Sequence, residues 1–214
     1  MAAMDGPVGM LNRRSMLAGV LAGGAALTLP VRVAAQARSL SPGQAYILEL
    51  ARREVARAGD SLWQRDLAAI ADFGAHSTYP RFHFANLENG TVRSYLVAHG
   101  AGSDPEHDGW LKHFSNIEGS NATSRGAYVA REWYDGQYGT SIRLGGLEPD
   151  NSLAERRAIV MHHARYATPE HIQRWGRLGR SNGCFAMDPR DFKDALWHLA
   201  GGRLVFADRL GVGV

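Results

Sequence analysis

The sequence predicts a mainly β domain with short helices inserted in its C-terminal half and a helical extension on its N-terminal side. Three observations carry that expectation. From Ile70 onward the apolar residues fall in short runs separated by turn residues. Asn89-Gly90 lies between two alternating segments of "RFHFANLENGTVRSYLVAHG", and Asn-Gly is a strong hairpin-turn dipeptide. Helix-start signals recur at Ser152, Thr168 and Asp188, late in the chain. With 214 residues and 45% hydrophobic content, the chain can bury one full core.

Residues 1–37 are set apart from the fold. Arg13-Arg14 precede a glycine-containing apolar run from Met16 to Leu29, then Pro30 and an A-x-A pattern ending at Ala37. This reads as a twin-arginine-type secretory signal cleaved after Ala37. The apolar run is shorter than the roughly 18 residues of a membrane span, so no stable membrane anchor is expected after signal removal. Periplasmic export follows from that reading.

The remaining elements come in order. Ser41-Pro42 reads as an N-cap with proline in the first turn, and Ala45, Leu48, Val55 and Ala58 lie broadly on one face before Gly59. A second short helix is expected over residues 62–69, so that a helical extension spans 38–69 and the main domain 70–214. Besides the hairpin, strands are expected in "GAYVAREWY", "SIRLGGL", "RAIVMHHA" and "RLVFAD". Ser152 with Glu155 forms a possible capping box, Thr168-Pro169-Glu170 opens a further turn or two, and Asp188-Pro189 starts a helix that stops at Gly201-Gly202.

Charge argues against a nucleic-acid partner. Removing residues 1–37 takes away Arg13, Arg14, Arg32 and Asp5, so the formal net charge of +3 falls to +1. The basicity belongs largely to the signal, and no phosphate-binding surface is implied. The single cysteine, Cys184, excludes an internal disulfide framework. An unpaired thiol in an oxidising compartment is a liability unless it is buried or used.

Cys184 follows glycine in "GRLGRSNGCFAMDP", a turn open enough for a carbonyl to approach. The base would be His162 or His163 in "RAIVMHHARY", at the end of a run that reads as a buried strand. Adjacent strand residues point to opposite faces, so only one of the pair can face the thiol. On these residues alone, Cys184 reads more readily as a small buried hydrophobe than as a nucleophile.

The two segments, with the collinear blocks "VAHGAGS", "HFSNIEGS", "SRGAYVAREWYDGQYGTSIRLGGLEP" and "RLVFAD", resemble the YkuD-type murein L,D-transpeptidase catalytic domain, in a variant branch with serine-x-glycine-cysteine. The resemblance covers about residues 70–208 and implies a β-sandwich or open-barrel fold. It also implies a cysteine peptidyltransferase that joins the stem peptides of peptidoglycan, donor and acceptor, without cofactor or metal. Cys184 would form a thioester with the donor carbonyl and His162 would be the base, with His163 contributing mainly backbone. The N–H groups of Gly183 and Cys184 would form the oxyanion hole, and the Ser181 hydroxyl would orient the loop. Asn182 and Ala186 depart from the commoner family residues, which leaves open whether the product is a 3-3 or a 1-3 cross-link.

Other polar residues fit that picture as substrate contacts. His99 and Tyr134 are expected to line the cleft, with Trp133 beside Tyr134. Arg180 is expected either to hold a stem-peptide carboxylate through its guanidinium fork or to form a surface salt bridge. Asn182 and His163 complete the substrate-contact set. A zinc site among His99, Asp104, His107, Asp108 and His113 is disfavoured by the absence of H-E-x-x-H and by the loop character of the segment; His107 and His113 are expected to be solvated. Two other functions compete: hydrolysis of the same acyl-enzyme, as an L,D-carboxypeptidase or amidase, and a non-catalytic wall-binding module with an inert cysteine.

Overall fold

The computed structural model describes residues 40–212; the expected signal, residues 1–37, lies outside the described residues. Helix α1 (Pro42–Ala58) starts at the predicted cap: the Ser41 hydroxyl accepts the Gln44 N–H, and the Gln44 side chain accepts the Ser41 N–H. Reciprocal capping of this kind removes two orphan donors at the helix start.

The helix expected over 62–69 is not formed. A single 3-10 turn, Gly59–Ser61, leads instead to strand β1 (Leu67–Asp72), so the expected boundary at residue 70 falls inside a strand. All six residues of β1 are buried. A strand covered on both faces loses the alternation by which strands are recognised, and the alanine-rich "LAAIAD" then reads as helix.

Eight further strands follow: β2 (Phe82–Asn86), β3 (Thr91–Tyr95), β4 (Val97–Ala98), β5 (Gly126–Gly136), β6 (Gly139–Gly146), β7 (Val160–His163), β8 (Phe185–Met187) and β9 (Arg203–Asp208). Helices α2 (Pro169–Trp175) and α3 (Phe192–His198) flank β8 in sequence. Thr168 caps α2 as its sequence predicts. Ser152 and Glu155 form no box; the box is made one turn earlier by Glu148 and Asn151 around a 3-10 turn at Pro149–Asn151. Helix α3 begins at Phe192, after the Asp188-Pro189 turn.

The strands form one open sheet in the order β3-β2-β1-β9-β5-β6-β7-β8-β4, parallel only at β1/β9 and β7/β8. The sheet curls on itself. Phe82 of β2 and Phe185 of β8 stand six strands apart in that order, yet their rings meet at 6.3 Å, and Tyr128 of β5 meets Phe185 at 5.6 Å. One face of every long strand therefore contributes to a single inner core with Phe84, Ile142, Met161 and Val205, closed by Phe192, Ala195 and Leu199 of α3. On the outer face, α1 packs Ile47, Leu48, Ala51 and Val55 against Ile70, Leu204 and Phe206. The protein is thus mainly β with an N-terminal helix; the short strand β7 carries the expected histidine, and the adjacent strand β8 begins directly after the expected cysteine.

Candidate active site

The parallel pairing of β7 with β8 sets Met161 opposite Phe185 and His162 opposite Ala186. Met161 and Phe185 enter the inner core, so alternation turns Val160, His162 and Ala186 to the outer face. Cys184, directly before β8, lies beside Val160, and both line a cavity of about 340 Å³. His162 is thus one pleat along the same face from the thiol's neighbour.

The ring of His162 is only 3% exposed. Tyr138, from the β5–β6 turn, stacks on it with centroids 4.7 Å apart, and Tyr138 itself lines the cavity. The His162 Nδ1 lies 2.9 Å from the His163 carbonyl oxygen. A carbonyl only accepts, so this contact places the proton on Nδ1 and leaves Nε2 as the basic nitrogen. Burial holds the imidazole below its ordinary pKa, partly opposed by the bond to His163.

The Ser181–Cys184 turn is braced from two sides. The Ser181 hydroxyl donates to the Cys184 carbonyl at 2.6 Å and accepts the Gly183 N–H at 3.2 Å. Ser181 also pairs its backbone with the segment after β4, donating to the His99 carbonyl and accepting from Ala101 N–H. Gly183 adopts φ +108°, and a Cβ there would stand 2.7 Å from the Ala122 carbonyl oxygen, so only glycine fits. Because its N–H is taken by Ser181, Gly183 is not a free oxyanion donor in this arrangement, contrary to the expectation from sequence.

The thiol donates to the Ala158 carbonyl at 3.6 Å. Burial raises its pKa, while the Val160 N–H and the Arg157 charge oppose that rise. Arg157 and Ala158 went unnoticed as site residues in the sequence. Ala158 adopts φ +53°, a strained value for alanine, which turns its carbonyl toward the sulfur. Arg157 holds the facing loop through the carbonyls of Ser115 and Ala122 and the hydroxyls of Ser120 and Ser124. An arginine that ends a loop just before a buried strand is the one local signal that could have marked it. Glu118, Asn121, Gln137 and Arg156 were also missed; they come from three loops that meet only in the fold.

Of the expected substrate contacts, Tyr134 and Asn182 line this cavity, and Arg143 lies 4.0 Å over the Tyr134 ring. Three others do not. His99 is 1% exposed and belongs to a buried network: the Arg81 guanidinium donates to its Nδ1 at 2.7 Å, and its Nε2 faces Asp104 at 3.4 Å. Burial pushes His99 down to about 4. Its carbonyl, not its ring, reaches the site. Arg180 Nη1 donates to the Asp104 and Pro105 carbonyls, and among the described residues Arg180 forms no salt bridge. His163 points to the opposite face from His162, 6.0 Å from Phe192 of α3, as alternation requires. His113 is exposed, whereas His107 is half-buried with its Nε2 3.1 Å from the Leu178 carbonyl.

The family model described as the L,D-transpeptidase catalytic domain (YkuD_2) matches residues 43–207. The chain belongs to the L,D-transpeptidase catalytic domain family. The match starts within α1. Comparison with curated proteins finds no match. Similar solved structures include an L,D-transpeptidase from Mycobacterium smegmatis (15% identity, TM-score 0.40, 67% of this chain and 58% of that chain). Another is an L,D-transpeptidase from Mycobacterium tuberculosis (13%, TM-score 0.42, 67% and 57%). A third is the helical cell shape determining protein Pgp2 from Campylobacter jejuni (15%, TM-score 0.41, 74% and 55%). The chain spans less than two thirds of each of these. The family acts on peptidoglycan, and among the described residues no helix is long and apolar enough to cross a membrane.

Proposed function

We propose that this L,D-transpeptidase family member is an active, exported enzyme that cross-links peptidoglycan stem peptides through a thioester on Cys184. One observation carries the reading: the thiol opens into a polar cavity on the same sheet face as a histidine whose Nδ1 is fixed by a backbone carbonyl. A fixed Nδ1–H presents Nε2 as the acceptor, which is what a general base beside a nucleophile needs.

In the proposed reaction the thiol leaves the Ala158 carbonyl, gives its proton to His162 Nε2 and attacks the donor carbonyl carbon. The Cys184 N–H stabilises the oxyanion. As the tetrahedral intermediate collapses, the C–N bond breaks, the leaving amine takes the proton from the imidazolium, and the thioester remains. An acceptor amine then attacks the thioester, returns one proton through His162 and releases the thiol. Gly183 supplies the turn, Ser181 holds it, and Tyr134, Asn182 and Arg156 stand where the donor stem would lie. The donor and acceptor are stem peptides, with either a 3-3 or a 1-3 bond as product, and residues 1–37 would direct twin-arginine export to the periplasm.

Incubation with purified sacculi followed by mass spectrometry of the muropeptides tests this reading. New dimers that depend on Cys184 are expected, and their fragmentation assigns the bond. Trimmed monomers without dimers would replace the transferase with a hydrolase. Absence of any change, with an unreactive thiol, would leave a wall-binding module.

A further inference from the structure

All five tryptophans of the chain are exposed, from 45% at Trp110 to 81% at Trp197. The core is built instead from phenylalanine, tyrosine and aliphatic residues. Tryptophan has the largest apolar surface to bury, so leaving every copy in solvent calls for a use. Trp133 and Trp197 stand together: with Thr140, Lys193 and Leu196 they line a cleft of about 400 Å³ between the β5–β6 hairpin and α3. Trp63 lies toward the same edge. Its N–H donates to the Gly202 carbonyl, and Gly202 N–H in turn donates to Ala130 of β5, three residues before Trp133.

This cleft is the reverse side of the catalytic cavity. Trp133 pairs with Ile142, on the inner-core face, whereas the next residue, Tyr134, pairs with Ser141 and lines the cavity with Cys184. One two-stranded hairpin therefore separates the two clefts.

We propose that the Trp133–Trp197 cleft binds the sugar strand that carries the stem peptide, a β-linked amino-sugar polymer. The proposal rests on the peptidoglycan reading above. A pyranose ring has an apolar C–H face and a polar edge, which matches an indole face beside the Thr140 hydroxyl and the Lys193 ammonium. The reach is right as well: a sheet with its side chains is about 10 Å thick, and three to four extended peptide residues span roughly 10–14 Å. A stem attached to a sugar in one cleft can thus cross the hairpin into the other.

Titration of the full protein with glycan strands stripped of their peptides, read by tryptophan fluorescence and co-sedimentation, tests the proposal. Saturable binding is expected for the wild type and for Cys184→Ala, and it should persist in added salt because ring stacking carries it, although removal of the peptides leaves carboxylates on the strand. Trp133→Ala with Trp197→Ala should weaken it about tenfold, as expected for two lost stacking faces, and the Trp→Tyr pair should retain most of it. Acylation of Cys184 by a β-lactam should be unchanged in these variants, which also reports that they fold. Equal binding by the double alanine variant would overturn the proposal. So would binding only to intact, peptide-bearing sacculi, or only to anionic phospholipid vesicles. A protein that binds stripped glycan but is never acylated would sink the catalytic reading and leave this site standing; acylation without glycan binding would do the reverse.

Discussion

Tyr138 lies flat on His162, the two ring planes inclined by only 21° at a centroid distance of 4.7 Å. The tyrosine is 41% exposed and the histidine 3%, so one ring serves as the solvent cover of the other. Burial is the leading reason that His162 is held below its ordinary pKa. Tyr138→Ala should therefore move the imidazole pKa upward toward the ordinary histidine value near 6.5, as followed by NMR titration. Tyr138→Phe should leave it in place, because stacking needs the ring and not the hydroxyl. An unmoved pKa in the alanine variant would mean that the sheet, not the tyrosine, desolvates His162.

The resting thiol is neutral. Burial raises the Cys184 pKa, with Arg157 as the nearby positive charge that limits the rise. Alkylation by iodoacetamide should therefore keep accelerating as pH rises beyond about 8.5, the ordinary cysteine value. A plateau below pH 7 would instead show a preformed thiolate–imidazolium pair. Arg157→Leu should shift the profile further upward. It should also cost on the order of 2–3 kcal/mol of stability, by stripping partners from the buried acceptors of the 115–124 loop.

Gly183→Ala tests the turn without touching a reacting group. The added Cβ would stand 2.7 Å from the Ala122 carbonyl at a φ of +108°, and a non-glycine residue in such a conformation costs about 1–3 kcal/mol. The fold should survive with a melting temperature lowered by a few degrees, since roughly 1 kcal/mol corresponds to about 2–4 °C for a chain of this size. Acylation should fall steeply because Cys184 is displaced. Wild-type acylation rates in this variant would show that the turn is not constrained as described.

Two histidines outside the reaction set the acid limit of the fold. His83 and His99 are each 1% exposed and are held at about 4 by burial, against 6.5 unperturbed. Both fold as neutral rings, so the unfolded chain binds more protons below pH 6.5 and stability falls with pH. The loss runs from about 6.5 down to about 4 and then levels off for these groups, with a ceiling of order 3 kcal/mol for each. Denaturant midpoints measured at pH 7, 5.5 and 4 should fall in that order. His83→Gln should flatten the curve, because glutamine accepts the Ser94 contact without titrating.

The contrast between what was legible and what was not follows from these particulars. The hairpin at Asn89-Gly90, the Ser41 cap and strands β5, β6, β7 and β9 were readable because they rest on local periodicity and turn chemistry. Strand β1 was not, because burial on both faces erased its period. At the site, the alternation of His162 and His163 was enough to separate a cavity-side ring from an α3-side ring. His99 and Arg180 misled for a common reason. Their segments do approach the 181–184 loop, but backbone bonds make the approach, and the side chains turn into the Arg81–Asp104 network and its loop. Arg156, Arg157, Tyr138 and Glu118 reach the cavity from loops distant in sequence, and a sequence pattern carries no record of such convergence.

The proposed reaction requires that Cys184, served by His162, be the acylated nucleophile. Intact-protein mass spectrometry after exposure to a carbapenem, with peptide mapping of the adduct, tests it most directly. One covalent adduct per chain is expected, on Cys184, absent from Cys184→Ala and formed far more slowly in His162→Asn. An unmodified wild-type protein, or an adduct that persists in Cys184→Ala, would contradict it.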